Sequence, residues 1–320
     1  MDTLAITGST GSLGFEVVKK LVNNYHLILI NRNLEKSEIQ KKELLELNPN
    51  AKIDILVSDM NDINSVKELT DKLIGLNIDY LIINAGILTK TKYITNFGYD
   101  NVFTTNFLAP YYIINRLKEN NLPNKKVIAV GSVASKWGRY NASDIDYRNS
   151  NSKNKRYGNS KKFLMASLME LYKNDLDKLT IVHPGISLTN MTKNYNKFIK
   201  ALTIIFLTIF FQGKKKACRS IVMGVNTNTN YLEWIGPHIF GVYGKPKVCK
   251  IKKLKADEIS IINEEAIKLY NKTKSAWFSA FYYLILPGPP GLNPWLELPI
   301  CVIILLIVIV SVKVLFIYNL

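Results

Sequence analysis

The sequence predicts an α/β fold built on a doubly wound parallel sheet, and three observations carry that expectation. Short apolar runs alternate with helical patterns from residue 3 to about residue 182, and strands of that kind are those that helices cover on both faces. The first run passes through a glycine-rich turn directly into a helix. Polar and glycine-bearing stretches then recur at the carboxyl ends of the runs, where a doubly wound sheet gathers its ligands. A chain of 320 residues with 48% hydrophobic side chains has ample material for such a core.

The first strand, Thr3-Leu4-Ala5-Ile6, leads into Thr7-Gly8-Ser9-Thr10-Gly11-Ser12-Leu13-Gly14, after which Phe15, Val18, Leu21 and Val22 keep helical spacing until Asn23-Asn24. Glycines permit a tight turn and bring bare peptide N–H groups to a helix N-terminus, a cradle for a pyrophosphate. An ordinary strand-to-helix turn is the plainer reading. The chain enters this strand with no basic n-region or cleavage site, so no signal peptide is expected.

The second strand, Leu27 to Ile30, ends in Asn31-Arg32-Asn33. A site for NAD would place Asp or Glu here to accept from the ribose 2′-hydroxyl. Asn31 with the neighbouring cation suits the 2′-phosphate of NADP instead; a solvated Arg32 is the alternative.

A helix over Leu34–Leu47 is stopped by Pro49, and the strand Ile53–Val57 ends in Ser58-Asp59-Met60. A helix over Ile63–Ile74 leads to the strand Tyr80–Ile83 and Asn84-Ala85-Gly86. The pattern continues through a helix near residues 100–121, the strand Val127–Val130, and Gly131-Ser132. A helix carrying Tyr157 follows, and the last expected strand is Leu179–Val182, ending in His183-Pro184-Gly185. His183 reads as an ordinary strand-end histidine without ligand partners.

Tyr157 and Lys161 lie four apart on one helical face, with Cβ atoms about 5–6 Å from each other. An ammonium at that range favours the tyrosinate and lowers the tyrosine pKa. The Ser132 hydroxyl could then hold a substrate carbonyl facing the phenol, giving a proton donor that works near neutral pH.

Taken together, Thr7-Gly8 with Gly14, Asp59, Asn84-Ala85-Gly86, Asn106, Ser132, Tyr157-x-x-x-Lys161 and Pro184-Gly185 resemble, in order, the landmarks of the short-chain dehydrogenase/reductase family over residues 1 to about 190. The resemblance implies a Rossmann fold and NADP(H) as cofactor. It places Gly8, Ser9, Thr10, Gly11, Ser12, Leu13 and Gly14 at the pyrophosphate, Arg32 at the 2′-phosphate, and Asp59 and Met60 at the adenine. Asn84, Ala85 and Gly86 would steady the sheet beside the cofactor, and Pro184, Gly185 and Thr189 would line the nicotinamide pocket. Tyr157 would donate the proton, and Lys161 would hold the nicotinamide ribose and lower the Tyr157 pKa. Asn106 would complete a proton relay through water to Lys161. Without the resemblance, Asn106 is a helix-surface residue and Ser132 a loop hydroxyl.

Two departures stand out. Ser12 replaces the middle glycine of the usual Thr-Gly-x-x-x-Gly-x-Gly, leaving Gly8-x-x-Gly11-x-x-Gly14, the spacing of extended members that often act on nucleotide-sugars. The Asn84-Ala85-Gly86 stretch and the chain length argue the other way. The interval from Ser132 to Tyr157 is about twice that of the plainest members. Its insert, Trp137 to Arg156, resembles those of the retinol dehydrogenase-like and keto-steroid reductase-like branches. The basic run Lys153-Asn154-Lys155-Arg156 inside it reads as a solvated loop, with a membrane-surface contact as the second reading.

The remainder reads as lid and anchor. Ala201 to Phe211 is apolar but too short to span a bilayer, which suits a lid over a greasy substrate or a buried core segment. An amphipathic helix near Asp257–Lys274 precedes an aromatic stretch, Trp277 to Leu286, of interfacial character. Trp295 to Tyr318 has the length of one spanning helix, with Lys313 near its far end, where it can snorkel. The basic residues upstream place the catalytic part on the cytosolic side of a single-pass C-terminal anchor. A buried helix of a soluble core is the weaker alternative, because no polar face is present. The expected organisation is a catalytic core over 1–196, lid and remaining elements over 197–256, an interfacial segment over 257–294 and an anchor over 295–320.

The net charge of +17 is spread along the chain without a zinc-ligand array or aromatic RNA-binding signature, so no nucleic acid partner is expected. Cys218, Cys249 and Cys301 form neither a disulfide framework nor a metal site, and no metal is expected. These observations combine into an expectation of an NADP-dependent enzyme interconverting a carbonyl and an alcohol on a retinoid, steroid or long-chain lipid ketone at a membrane. Family habit implies a homodimer. The rivals are an extended-type enzyme acting on a nucleotide-sugar and a non-catalytic NADPH-binding membrane scaffold.

Overall fold

Strands form where the apolar runs lie: β1 (Thr3–Thr7), β2 (His26–Asn31), β3 (Ile53–Val57), β4 (Tyr80–Ile83), β5 (Lys126–Val130) and β6 (Leu179–Val182). All six pair in parallel. The computed structural model describes residues 1–185, 213–239, 241–251 and 254–285, with side chains as far as residue 275. Contacts divide the chain into two units, Met1–Asn271 and Lys272–Leu320.

Between the strands run α1 (Ser12–Leu21), α2 (Leu34–Leu47), α3 (Ile63–Gly75) and α6 (Lys153–Leu171). The helix expected near residues 100–121 is composite: α4 (Asn101–Phe103), a π turn over Thr104–Leu108, and α5 (Ala109–Glu119). Asn33 and Asp62 cap α2 and α3 by accepting the N–H groups of Lys36 and Asn64, which meets donors that a helix start otherwise leaves open.

The sheet order is β3-β2-β1-β4-β5-β6-β7-β8. The order reverses between β1 and β4, and the crevice at such a switch point is where ligands dock. Two strands extend the sheet beyond the expected last one. After α7 (Lys214–Asn226), β7 (Glu233–Ile239) lies parallel to β6 through Val182 and Ile235, and β8 (Tyr243–Lys250) returns antiparallel. The expected segments 1–196 and 197–256 thus both contribute to the first unit.

Apolar side chains bury both faces. On one, Val17, Val18, Leu21, Leu44, Ile221 and Val225 come from α1, α2 and α7. On the other, Phe103, Phe107 and Phe163 meet with ring centroids 5.0 to 5.2 Å apart and join the helices that carry Asn106 and Tyr157. The last described helix, α8 (Ala256–Ile285), is longer than the amphipathic stretch expected there. Within the first unit it buries Ile259, Ile262, Ala266, Leu269 and Tyr270 in this second layer, and its Glu258 pairs with Lys162 of α6 at 2.5 Å.

The basic run Lys153-Asn154-Lys155-Arg156 is no loop. Ser152 caps it as the first turn of α6, and Arg156 is buried. Thr189, the lid segment 201–211 and the anchor segment 295–320 lie outside the described residues. Among the described residues no helix is long and apolar enough to cross a membrane, and none of the His, Cys, Asp and Glu side chains cluster as metal ligands.

Candidate active site

The turn after β1 is held from three sides. Gly8 adopts φ +68°, and a Cβ at Gly14 would stand 2.5 Å from the Gly8 carbonyl oxygen, so neither position accommodates a side chain. The backbone N–H groups of Asn84 and Ala85 donate to Thr7 Oγ1 at 3.0 Å, and Asn84 Nδ2 donates to the carbonyls of Thr7 and Gly8. Asn31, at the position where an NAD site would carry Asp or Glu, turns toward the glycine turn. Its Oδ1 accepts from the Thr10 N–H at 3.1 Å and its Nδ2 donates to Ser9 Oγ at 2.8 Å, while Gln40 Nε2 donates to the Ser9 carbonyl. The loop is therefore rigid before any ligand arrives.

Helix α1 begins at Ser12 with Gly11 as its cap residue and no side chain bonded to its open N–H groups. An uncapped helix start beside a bare glycine turn fits an anionic pyrophosphate. Arg32 follows β2 on the surface, its guanidinium paired with no described carboxylate. Asp59 is exposed at the end of β3, whereas the Met60 side chain packs into the core. Gly185 adopts φ +81° after Pro184 at the end of β6.

Five polar side chains gather past the ends of β4 and β5. Asn106 sits in the π turn, fully buried rather than on a helix surface; such turns recur at functional sites. Its Oδ1 accepts the Ile87 N–H at 2.7 Å, and its Nδ2 donates to the Ile87 carbonyl and to Ser160 Oγ, both at 3.0 Å. Ser160 Oγ donates in turn to the Tyr157 carbonyl at 2.8 Å. Lys161 Nζ donates to the Val130 carbonyl at 2.7 Å. A side chain at Gly86 would meet Asn106 Oδ1 at 3.2 Å and Lys161 Nζ at 3.5 Å, so both groups flank that glycine. Ser132 caps the short turn Val133–Trp137 and shares a hydrogen bond with Tyr157.

The electrostatics differ from the sequence expectation. Burial pushes the Tyr157 phenol above its ordinary value, and the Ser132 hydrogen bond acts the other way. Lys161 is buried as well, and its own pKa falls to about 8. Desolvation of each group outweighs the pull that their spacing implies. His183 is a strand-end residue as expected: it stacks on Trp234 at 5.0 Å, and burial drops it to about 4.

Sequence reasoning missed Ser160, whose only signal was its place beside Lys161. It also missed Asn31 and Gln40 as braces of the glycine turn, and Arg156, whose basic neighbours suggested solvent.

Residues 2–200 match the family model described as short chain dehydrogenase. The short-chain dehydrogenase TIC 32 A, chloroplastic, of Brassica napus is 28% identical over 243 residues, 68% of this chain and 74% of that one. Retinol dehydrogenase 13 of Mus musculus is 24% identical over 226 residues, 65% of each chain. In fold, an uncharacterized protein from Mycobacterium Paratuberculosis superposes with a TM-score of 0.65 at 23% identity, covering 86% of this chain and 94% of its own.

Proposed function

The chain belongs to the short-chain dehydrogenase family, and on that premise we propose that it interconverts a carbonyl and an alcohol on a lipophilic substrate with NADP(H). The observation that carries the reading is that Asn106 and Lys161 flank Gly86 while Ser132 meets Tyr157, one turn before Lys161 on α6. When bound, the nicotinamide supplies or accepts the hydride.

The chain's own residues do the rest. The glycine turn and the open start of α1 would hold the pyrophosphate, Arg32 the 2′-phosphate, and Lys161 the nicotinamide ribose. Ser132 positions the substrate oxygen facing the Tyr157 phenol, which gives up its proton in reduction and takes one in oxidation. Lys161, with its pKa of about 8, is charged at neutral pH and lies one turn after Tyr157 on α6. Asn106 fixes the Ile87 backbone and, through Ser160, the turn that carries Tyr157.

Three features support a lipophilic substrate. A side chain at Gly158 would come within 3.3 Å of Trp137 Cβ, so the exposed indole stands beside the Tyr157 turn. Leu88, next to the Ile87 that Asn106 holds, is exposed as well. The stretches 201–211 and 295–318 are apolar in sequence, which supports reading them as a lid and a single-pass C-terminal anchor that leaves the catalytic part facing the cytosol. The retinol named for the mouse relative belongs to the same chemical class.

The test follows NADPH and NADH oxidation by detergent-solubilised full-length protein against a panel of lipophilic aldehydes and ketones, with Tyr157→Phe in parallel. NADPH-dependent turnover that disappears in the variant is the expected result. Turnover that persists in the variant, or turnover of a UDP-sugar and of none of the panel, overturns the reading.

A further inference from the structure

Arg156 immediately precedes Tyr157, yet its side chain is only 2% exposed. Its guanidinium pairs with the Asp100 carboxylate, donates to Asn101 Oδ1 at 2.7 Å, and reaches the carbonyls of Thr89 and Thr91 at 3.3 to 3.4 Å. Asp100 is fully buried and uses its two oxygens differently. Oδ2 takes Arg156, and Oδ1 accepts the Val102 N–H at 3.0 Å, capping α4 at the start of the helix that carries Asn106. The Asp100 N–H donates to Asp146 Oδ2 at 2.7 Å, and Arg148 Nε holds Asp146 while its Nη2 reaches the Gly98 carbonyl.

Stability is a poor reason for such a cluster. Replacing a buried ion pair by apolar side chains of similar volume is often neutral or stabilising, because desolvation offsets the attraction. Geometry is the better reason. A planar guanidinium bonded to one carboxylate, one amide and two carbonyls has a fixed position, and the next residue is the acid–base tyrosine. The carboxylate that anchors it also fixes the helix carrying Asn106.

We propose that Asp100 and Arg156 form a positioning clamp that sets Tyr157 against Ser132 and Asn106, two helices held in register by one buried carboxylate. The inference rests on Tyr157 being the acid–base residue. Neither side chain touches the reacting atoms; both act through the backbone of α6.

The experiment uses full-length protein in detergent, labelled with ¹³Cζ-tyrosine, with the Tyr157 resonance identified by its loss in Tyr157→Phe. Ser132→Ala gives the resonance position without the serine hydrogen bond. Asp100→Asn, and the milder Asn101→Ala should Asp100→Asn fail to fold, are expected to move the Tyr157 resonance toward that position at neutral pH. They are also expected to lower kcat at least tenfold, with the KM for NADPH within threefold, and Arg156→Lys, which keeps the charge but loses the planar fork, should move the resonance in the same direction. Leu73→Ala, a core change in α3, should leave the resonance in place. An unmoved resonance in a folded clamp variant, or an equal move in Leu73→Ala, overturns the clamp. Tyr157→Phe retaining turnover overturns the acid–base reading instead, and the resonance still reports on the clamp by itself.

Discussion

Replacing Lys161 by Met separates the energetic cost of the site from its chemistry. Burial lowers the Lys161 pKa from 10.5 to about 8. The folded protein therefore holds that proton less tightly than the unfolded chain, and between pH 8 and 10.5 the unfolded chain binds more protons. Stability then rises with pH through this window, since the charged form is the one burial disfavours. Below pH 8 the full cost is present, and it fades as pH approaches 10.5. At 1.36 kcal/mol per pH unit the shift corresponds to roughly 3 kcal/mol, of which about 2 kcal/mol changes between pH 7 and pH 9.5. Met has a similar shape and no titrating group, so other ionisations cancel in the comparison. Urea denaturation of both proteins without cofactor, followed by circular dichroism at pH 7, 8.5 and 9.5, should show wild type gaining about 2 kcal/mol relative to Lys161→Met over that range. A difference that stays constant, or one that moves in favour of Met as pH rises, would refute the burial argument.

Two further outcomes follow from the same geometry. Arg32→Ala should weaken NADPH binding about 10- to 100-fold, the equivalent of one charge-assisted hydrogen bond of ~1.5–3 kcal/mol, and leave NADH binding unchanged; fluorescence titration of each nucleotide checks it. Phe163→Ala removes the ring that joins Phe103 and Phe107 across the two site helices, and should cost about 3–5 kcal/mol in denaturant unfolding.

The first six strands were legible because each centres on a short apolar run bounded by turn residues, and the Tyr157 and Lys161 pair because its spacing is itself the geometry. The last two strands were not. β7 carries Gly236, Pro237 and His238, and β8 carries Lys245, Lys247 and Lys250 at exposed positions, so neither shows the buried-strand pattern. Arg156 reads as one more solvated cation until Asp100, 56 residues earlier, is brought beside it. The direction of the Tyr157 shift was misjudged for a related reason. Spacing shows that a lysine is near, but burial, which decides which ionisation is favoured, depends on everything packed around the pair. Asn31 was placed correctly at the end of its strand, and only the fold shows its amide turned toward Ser9 and Thr10.

The pairing of Lys162 with Glu258 has a consequence for the order in which the molecule can be made. The lysine next to Lys161 waits for a partner 96 residues further along, a delay of about 5–20 s at ribosomal speeds. Until α8 leaves the ribosome, Lys162 lacks its counter-charge, and Tyr111 and Tyr112 lack the Tyr270 ring that packs on them. The helix bearing the chemistry therefore gains these packing partners only once α8, which carries the residue 96 positions further along, has been synthesised.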